Sequence, residues 1–283
     1  RWKQVPKISS LTVIVFLLRT SYFLLLPMRK KKPLLAKLST LNRGLAILID
    51  PEKAMNKVQF TRQLDAICAI SPEFIFIGGS TVNAEQMSQT IDLIKATTSI
   101  PLIIFPGGTS QLNTSADGLL FLSLISGRNP TYLIGQQVEA AEQLFESNME
   151  IISTGYILVD GGFRSAVERV SGTSPIPQSD IQAISSTAKA GILLGMDCLY
   201  VDAGSGAHTP VSEKIIRELS TLGSPLIIGG GLRTIASIQK AHEAGANLVV
   251  IGNKLEEDSL LIEALIQYRS QGIEVESKSE THQ

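Results

Sequence analysis

The sequence predicts an α/β fold in which eight short parallel strands close into a barrel covered by helices, with one covering helix missing. Three observations predict it. Short apolar runs alternate with amphipathic segments from Leu45 to Tyr268, the pattern of a parallel sheet buried on both faces. The apolar runs end in glycine, serine or aspartate before the next helical segment begins, which puts small and polar residues at the carboxyl ends of strands. The last two runs, PLIIGGGLRT at Pro225–Thr234 and LVVIGNK at Leu248–Lys254, pass from strand through glycine into a helix start. The seventh and eighth strands of a (β/α)8 TIM barrel do the same where they hold a phosphate, because bare backbone N–H groups and a helix N-terminus both attract an anion.

Residues 1–27 stand apart from this pattern. Arg1–Lys7 is basic, Leu11–Leu26 is mostly apolar, and Met28 precedes the basic run Arg29–Lys32. Arg19 interrupts the apolar stretch, which is short for a membrane span, and no small-residue cleavage site follows it. The segment is either an N-terminal hydrophobic segment or upstream sequence ahead of a start at Met28. The second is the preferred reading, and the barrel domain is then 28–268.

The first strand, Leu45–Ile49, ends in Asp50-Pro51-Glu52-Lys53, and a helix is predicted over 56–70. The second, Phe74–Ile77, is stopped by Gly78-Gly79-Ser80 before a helix over 83–96, and the third, Pro101–Phe105, ends in Pro106-Gly107-Gly108. Thr109–Asp117 is too short and too polar for a covering helix, so the third helix is missing or replaced. Gly118–Leu122 is the fourth strand, and a helix follows Pro130 to about residue 147. After the fifth strand, Thr154–Val159, comes the loop Asp160–Pro177, and a loop of that length inside a domain is usually functional. A helix over 179–194 leads to the sixth strand, Cys198–Val201, which ends in Asp202-Ala203-Gly204-Ser205-Gly206-Ala207. A helix over 212–220, the strand Pro225–Ile228, a helix over 234–244, the strand Leu248–Ile251 and a helix over 255–268 complete the pattern. The polar tail 269–283 is predicted to be disordered.

Composition narrows the function. A net charge of −1 over 283 residues lacks the basic footprint of a nucleic-acid binder. Cys68 and Cys198 read as small buried residues in a reducing compartment, which favours a cytoplasmic protein, either free or in peripheral contact with a membrane. His208, His242 and His282 are too far apart for a zinc site.

The residues that close the strands are Asp50, Ser80, Phe105, Ser123, Tyr156 or the loop beyond it, Tyr200 and Asp202, Gly229-Gly230-Gly231, and Gly252-Asn253. With two carboxylates, hydroxyls and two phosphate cradles but no histidine or cysteine at a strand end, the set argues against a thiol nucleophile or a catalytic triad. It suits a phosphorylated substrate and a Mg2+ ion held by one carboxylate and the substrate's own phosphates. Structural alternatives stand beside each: Asp50 and Asp202 as helix caps, Gly78-Gly79-Ser80 as a tight turn, and Arg128 as either a diphosphate contact or a cap of the helix after it.

Seven of these stretches, LIDPEK, FIGGS, FPGG, VSGT, YVDAGSGA, IIGGGLRT and IGN, occur in order over Leu45–Leu265. Together they resemble the geranylgeranylglyceryl phosphate synthases and their PcrB-type bacterial relatives. That resemblance implies a modified barrel and transfer of a prenyl group from a prenyl diphosphate, geranylgeranyl diphosphate foremost, to the 3-hydroxyl of sn-glycerol 1-phosphate. It also implies that Asp50 and Ser80 hold Mg2+, and that glycerol phosphate contacts Tyr200, Val201, Asp202, Ala203, Gly204, Ser205 and Gly206. Its phosphate would lie against Gly229, Gly230 and Gly231 and against Gly252 and Asn253, with Asp202 and Tyr200 at the chemistry, in a homo-oligomer. Asp202 departs from the pattern, because the family carries glutamate there. A catalytically silent phosphate-binding barrel, or another phosphosugar enzyme on the same scaffold, is the alternative.

Overall fold

The computed structural model describes residues 32–55, 57–79, 82–252 and 259–280. Residues 1–27, Ser80, Asn253 and the last residues of the tail therefore lie outside the described part, together with what the sequence implies for them. Eight strands form one closed parallel barrel in chain order, β8 pairing with β1. They are β1 (Gly44–Ile49), β2 (Phe74–Ile77), β3 (Leu102–Ile104), β4 (Gly118–Leu124), β5 (Glu150–Leu158), β6 (Cys198–Asp202), β7 (Leu226–Gly229) and β8 (Leu248–Ile251). Side chains alternate between two apolar clusters, as closure requires. Ala46, Phe74, Phe76, Ile103, Leu120, Ile152, Ile227 and Leu248 share the interior, whereas Leu45, Ile47, Ile75, Ile77, Leu119, Ile157, Leu199 and Ile228 pack beneath the helices. Cys198 is buried in that interior and Cys68 is half-buried, and neither is in a disulfide.

The helices are α1 (Pro33–Thr40), α2 (Lys57–Ile70), α3 (Ala84–Thr97), α4 (Gln136–Glu146), α5 (Ala166–Ser171), α6 (Ile181–Leu193), α7 (Glu213–Ser220), α8 (Ile235–Glu243) and α9 (Ser259–Glu280). Among the described residues none is long and apolar enough to cross a membrane. Only one 3-10 turn, Thr109–Gln111, stands between β3 and β4, where the covering helix was predicted to be missing.

Three elements differ from the sequence prediction. α1 was not foreseen, and it closes the amino-terminal end of the barrel. Leu34, Leu35, Leu38 and Leu41 pack onto the interior cluster, and the Glu150 carboxylate at the start of β5 accepts the N–H groups of Leu34 and Leu35 at 2.8 Å each. A carboxylate at a helix N-terminus satisfies donors the helix itself leaves open. The Asp160–Pro177 loop is not irregular throughout, since it holds α5, capped by the Ser165 hydroxyl and ended by Gly172 at φ 64°. The helix predicted to stop at Tyr268 continues to Glu280, correcting the disordered tail over that stretch. Once a helix is nucleated by packed residues, adding polar helix formers costs little.

Candidate active site

Asp202 is the last residue of β6 and points into the top of the barrel interior. It is 7% exposed, and its carboxylate is held on both oxygens: the Tyr156 hydroxyl donates to Oδ2 at 2.5 Å and the Gly204 N–H to Oδ1 at 2.7 Å. Burial raises its pKa above the usual carboxylate range, opposed by these two hydrogen bonds, which favour the ionised form. Burial first, and then the Asp202 charge, raise the pKa of Tyr156 and Tyr200 well above that of free tyrosine. Both phenols stay protonated, so Tyr156 is a fixed donor. Register places the two tyrosines side by side on β5 and β6, their ring centroids 5.4 Å apart, and Phe105 at the end of β3 lies 5.1 Å from Tyr200 and 6.1 Å from Tyr156. Three aromatic faces therefore line the floor beside one buried carboxylate.

The triple glycine has two separate reasons to be glycine. The Tyr200 hydroxyl occupies the space that a Cβ on Gly229 would need. A Cβ on Gly230 would lie 2.5 Å from Asp202 Oδ1 and 2.6 Å from the Gly204 nitrogen, and Gly230 and Gly231 take φ of 80° and 73°, where side chains are strained. Neither Gly230 nor Gly231 N–H is bonded to a protein acceptor among the described residues, which leaves both for an anion. Gly204 and Gly206 in the loop after β6 are also left-handed, at 92° and 84°. Arg233 joins the two loops by donating to the carbonyls of Gly206 and Ala207, both at 2.9 Å. Nothing in the local pattern around Arg233 announces this role, because its partners lie 27 and 26 residues earlier in the chain.

Asp50, at the end of β1, stands two strands round the barrel from β7 and next to β8, on the same cavity wall as Gly78 and Gly79. Its Oδ1 accepts the Glu52 N–H at 3.1 Å, so the carboxylate turns the chain after β1 and also faces the cavity. A Cβ on Gly79 would come within 2.7 Å of that oxygen. Buried Gln111 ties the loops after β2 and β3 together, donating to the Gly79 carbonyl at 2.5 Å and accepting the Gly107 N–H at 2.8 Å. No group of three or more histidine, cysteine, aspartate or glutamate side chains forms a metal cage among the described residues. One carboxylate on an open wall nevertheless fits Mg2+ that keeps most of its oxygens from phosphates and water. Arg128 donates to the carbonyls of Ile125 and Gly127, at 3.2 and 2.7 Å, and is absent from the cavity lining. It therefore ties down the turn after β4 and does not cap the helix that follows it.

All of this opens into one cavity of about 650 Å³. Its polar end is lined by Asp50, Asp202, Ser205, Gly206, Gly230, Gly231, Arg233 and Gly252. Its other end is apolar and runs where the covering helix is missing, between the turn after β3 and α4, past Leu112, Phe121, Leu119, Ala140 and Leu144. From Leu124 to Leu119 the lining follows β4, a length of roughly 17 Å at about 3.3 Å per residue. Tyr200, Asp202, Gly230, Gly231 and Gly252 are thus brought together, while Gly204 and Ala203 lie behind the cradle and Val201 packs outward into the helix-covered core.

Comparison with known proteins covers most of the chain. The PcrB family model matches residues 40–269. The geranylgeranylglyceryl phosphate synthase of Zunongwangia profunda is 49% identical over 224 residues, 78% of this chain and 94% of that protein. The synthase of Korarchaeum cryptofilum is 36% identical over 216 residues, 75% of this chain and 87% of that protein. The crystal structure of (S)-3-O-geranylgeranylglyceryl phosphate synthase from Thermoplasma acidophilum, in complex with substrate sn-glycerol-1-phosphate, superposes with a TM-score of 0.77 at 31% identity, covering 84% of this chain and 96% of that one. A family match over most of the barrel, with relatives this similar over nearly their full length, leaves one assignment: the chain belongs to the PcrB family of geranylgeranylglyceryl phosphate synthase prenyltransferases.

Proposed function

We propose that the protein joins a prenyl diphosphate, geranylgeranyl diphosphate by preference, to the 3-hydroxyl of sn-glycerol 1-phosphate, releasing diphosphate. The observation that carries this reading is the single cavity with a buried carboxylate and glycine cradle at one end and a long apolar arm at the other. The phosphate of the acceptor lies against the free N–H groups of Gly230 and Gly231 and beside Gly252, on loops held together by Arg233. Its hydroxyl meets Asp202, which takes the proton as the oxygen attacks the first prenyl carbon and the carbon–diphosphate bond breaks. Tyr156 and the Gly204 N–H favour the ionised form of that carboxylate before the transfer and hold it aimed at the hydroxyl. Phe105, Tyr156 and Tyr200 present π faces to the allylic cation that develops between the two substrates. Asp50, with Ser80, would hold Mg2+, which neutralises charge on the leaving diphosphate. The length of the apolar arm along β4 suits three to four extended isoprene units, which favours the twenty-carbon donor.

The test is incubation with Mg2+, labelled geranylgeranyl diphosphate and each glycerol phosphate enantiomer. Product from sn-glycerol 1-phosphate alone supports the synthase. Binding of both ligands without product would make this a silent barrel, and no binding would remove the reading altogether.

A further inference from the structure

We propose that the rim of the apolar arm is a membrane-docking surface, which seats on phospholipid headgroups. Two elements build it. On the loop after β5, Phe163 and Val170 are 51% and 57% exposed, and at the entry to α4, Ile134 and Val138 are 59% and 67% exposed. These elements are held to each other: the Tyr132 hydroxyl donates to the Val170 carbonyl at 3.0 Å, and the Asn129 side-chain amide to the Ser171 carbonyl at 2.9 Å. Both also line the cavity, Phe163, Val167 and Val170 from one side and Tyr132, Gln137 and Ala140 from the other. Phe163 and Val170 thus border the opening of an apolar channel, with Ile134 and Val138 exposed on the element bonded to theirs, and exposed apolar side chains grouped in this way mark an interaction surface.

The occupant follows from what the channel takes. On the reading that its guest is a prenyl chain, on which this inference rests, donor and product both partition into lipid, so the hydrocarbon has to pass between a bilayer and the arm. A rim of phenylalanine, valine and isoleucine pressed to the interface shortens the path on which that chain meets water. Arg164 and Arg169 stand exposed on the same segment as Phe163 and Val170 and match headgroup phosphates. The ion pair of Arg164 with Glu168 is a 3.9 Å surface contact four residues along the chain, the kind that exchanges readily for another anion.

The test uses the full chain with Cys68→Ser and one new cysteine, Val170→Cys or Ile134→Cys, carrying an environment-sensitive fluorophore. Without substrates, the labelled protein is mixed with vesicles of phosphatidylcholine and phosphatidylglycerol. A blue shift is expected at both positions and none from Leu193→Cys, an exposed site at the end of α6. Adding Phe163→Asp should lower the vesicle affinity by about tenfold, the scale of one partly buried aromatic side chain. An unshifted label at 170 and 134 overturns the proposal. A shift that needs no vesicles, tracks protein concentration and coincides with a sedimenting dimer assigns the rim to a second copy of the chain and also overturns it. Turnover with detergent-dispersed donor is measured in parallel: product with no shift removes the docking surface alone, while a shift with no product upholds docking and removes the synthase reading.

Discussion

The hydroxyl of Tyr156 lies 2.5 Å from Oδ2 of Asp202, two strands' ends joined across a separation of 46 residues. The carboxylate has no freedom to turn, because Gly204 holds its other oxygen at 2.7 Å. Tyr156→Phe keeps the ring in the aromatic floor and removes only this bond. Because the bond lowers the pKa of Asp202, its loss raises that pKa, and the acid limb of the pH–rate profile moves upward. A profile of kcat against pH that stays in place would show that Asp202 does not titrate in the reaction.

The resemblance implies a glutamate at the position of Asp202, and against that side chain the carboxylate is set back by one methylene, roughly 1.5 Å. A displacement of that size costs on the order of a hundredfold in rate unless the acceptor moves with it. Asp202→Glu should therefore preserve or raise turnover with sn-glycerol 1-phosphate, and Asp202→Ala should abolish it. Full activity in the alanine variant would remove Asp202 from the mechanism.

Gly230 and Gly252 both line the cavity, yet an added methyl group means different things at each. At Gly230 it meets Asp202 and the Gly204 nitrogen on a backbone at φ 80°, whereas at Gly252 its nearest neighbour is Leu48 Cδ2 at 3.9 Å. Gly230→Ala should cost about 1–3 kcal/mol of stability from strain, together with most of the activity. Gly252→Ala should melt like the wild type and raise only KM for glycerol phosphate. Equal melting temperatures for the two variants would contradict this division.

The strands were legible because parallel strands buried on both faces are continuous apolar runs, and glycine or aspartate marks where each leaves the sheet. The absent third helix was legible for the same reason, since Thr109–Asp117 offers no apolar face. α1 was not, because its leucines acquire meaning only against the barrel interior and Glu150, more than a hundred residues away. The site divides along the same line. Asp50, Asp202 and the glycines announce themselves as strand ends. Gln111, Arg233 and the Tyr156 bond act through partners 32, 27 and 46 residues distant, which no local pattern encodes. The triple glycine was read as a phosphate cradle, but part of its composition answers to Tyr200 and Asp202 next to it.

His242 gives stability a pH dependence unrelated to the active site. Its Nε2 lies 2.9 Å from the Gly44 carbonyl and its Nδ1 3.0 Å from the Tyr268 hydroxyl, so the neutral ring donates to β1 and accepts from α9. Burial lowers its pKa from 6.5 to about 4. The unfolded chain therefore binds a proton between these values and the folded one does not. Stability is fully present above about pH 6.5 and falls as pH drops toward 4, by at most about 3 kcal/mol. Chemical denaturation at pH 7 and pH 4.5 should show His242→Gln with a shallower loss than the wild type, and identical slopes would mean that other groups carry the acid sensitivity.

Ala140 offers the most direct control over donor length. It lies on α4 with its side chain on the apolar arm, between the polar end of the cavity and Leu144 farther along. Ala140→Phe fills the arm from a helix whose backbone need not move, because the added ring enters cavity space instead of packed core. A twenty-carbon donor then has to fold back or leave its tail in water, and each buried methylene lost costs about 0.8 kcal/mol. Two methylenes therefore correspond to a rise in KM of about tenfold, and a donor of ten carbons, ending short of the obstruction, should be used as well as before. The ratio of kcat/KM for the two donors measures the effect without depending on enzyme concentration or on the acceptor step. If both donors lose equally, the arm past Ala140 does not hold the prenyl tail, and the missing covering helix has left an opening that serves some other purpose.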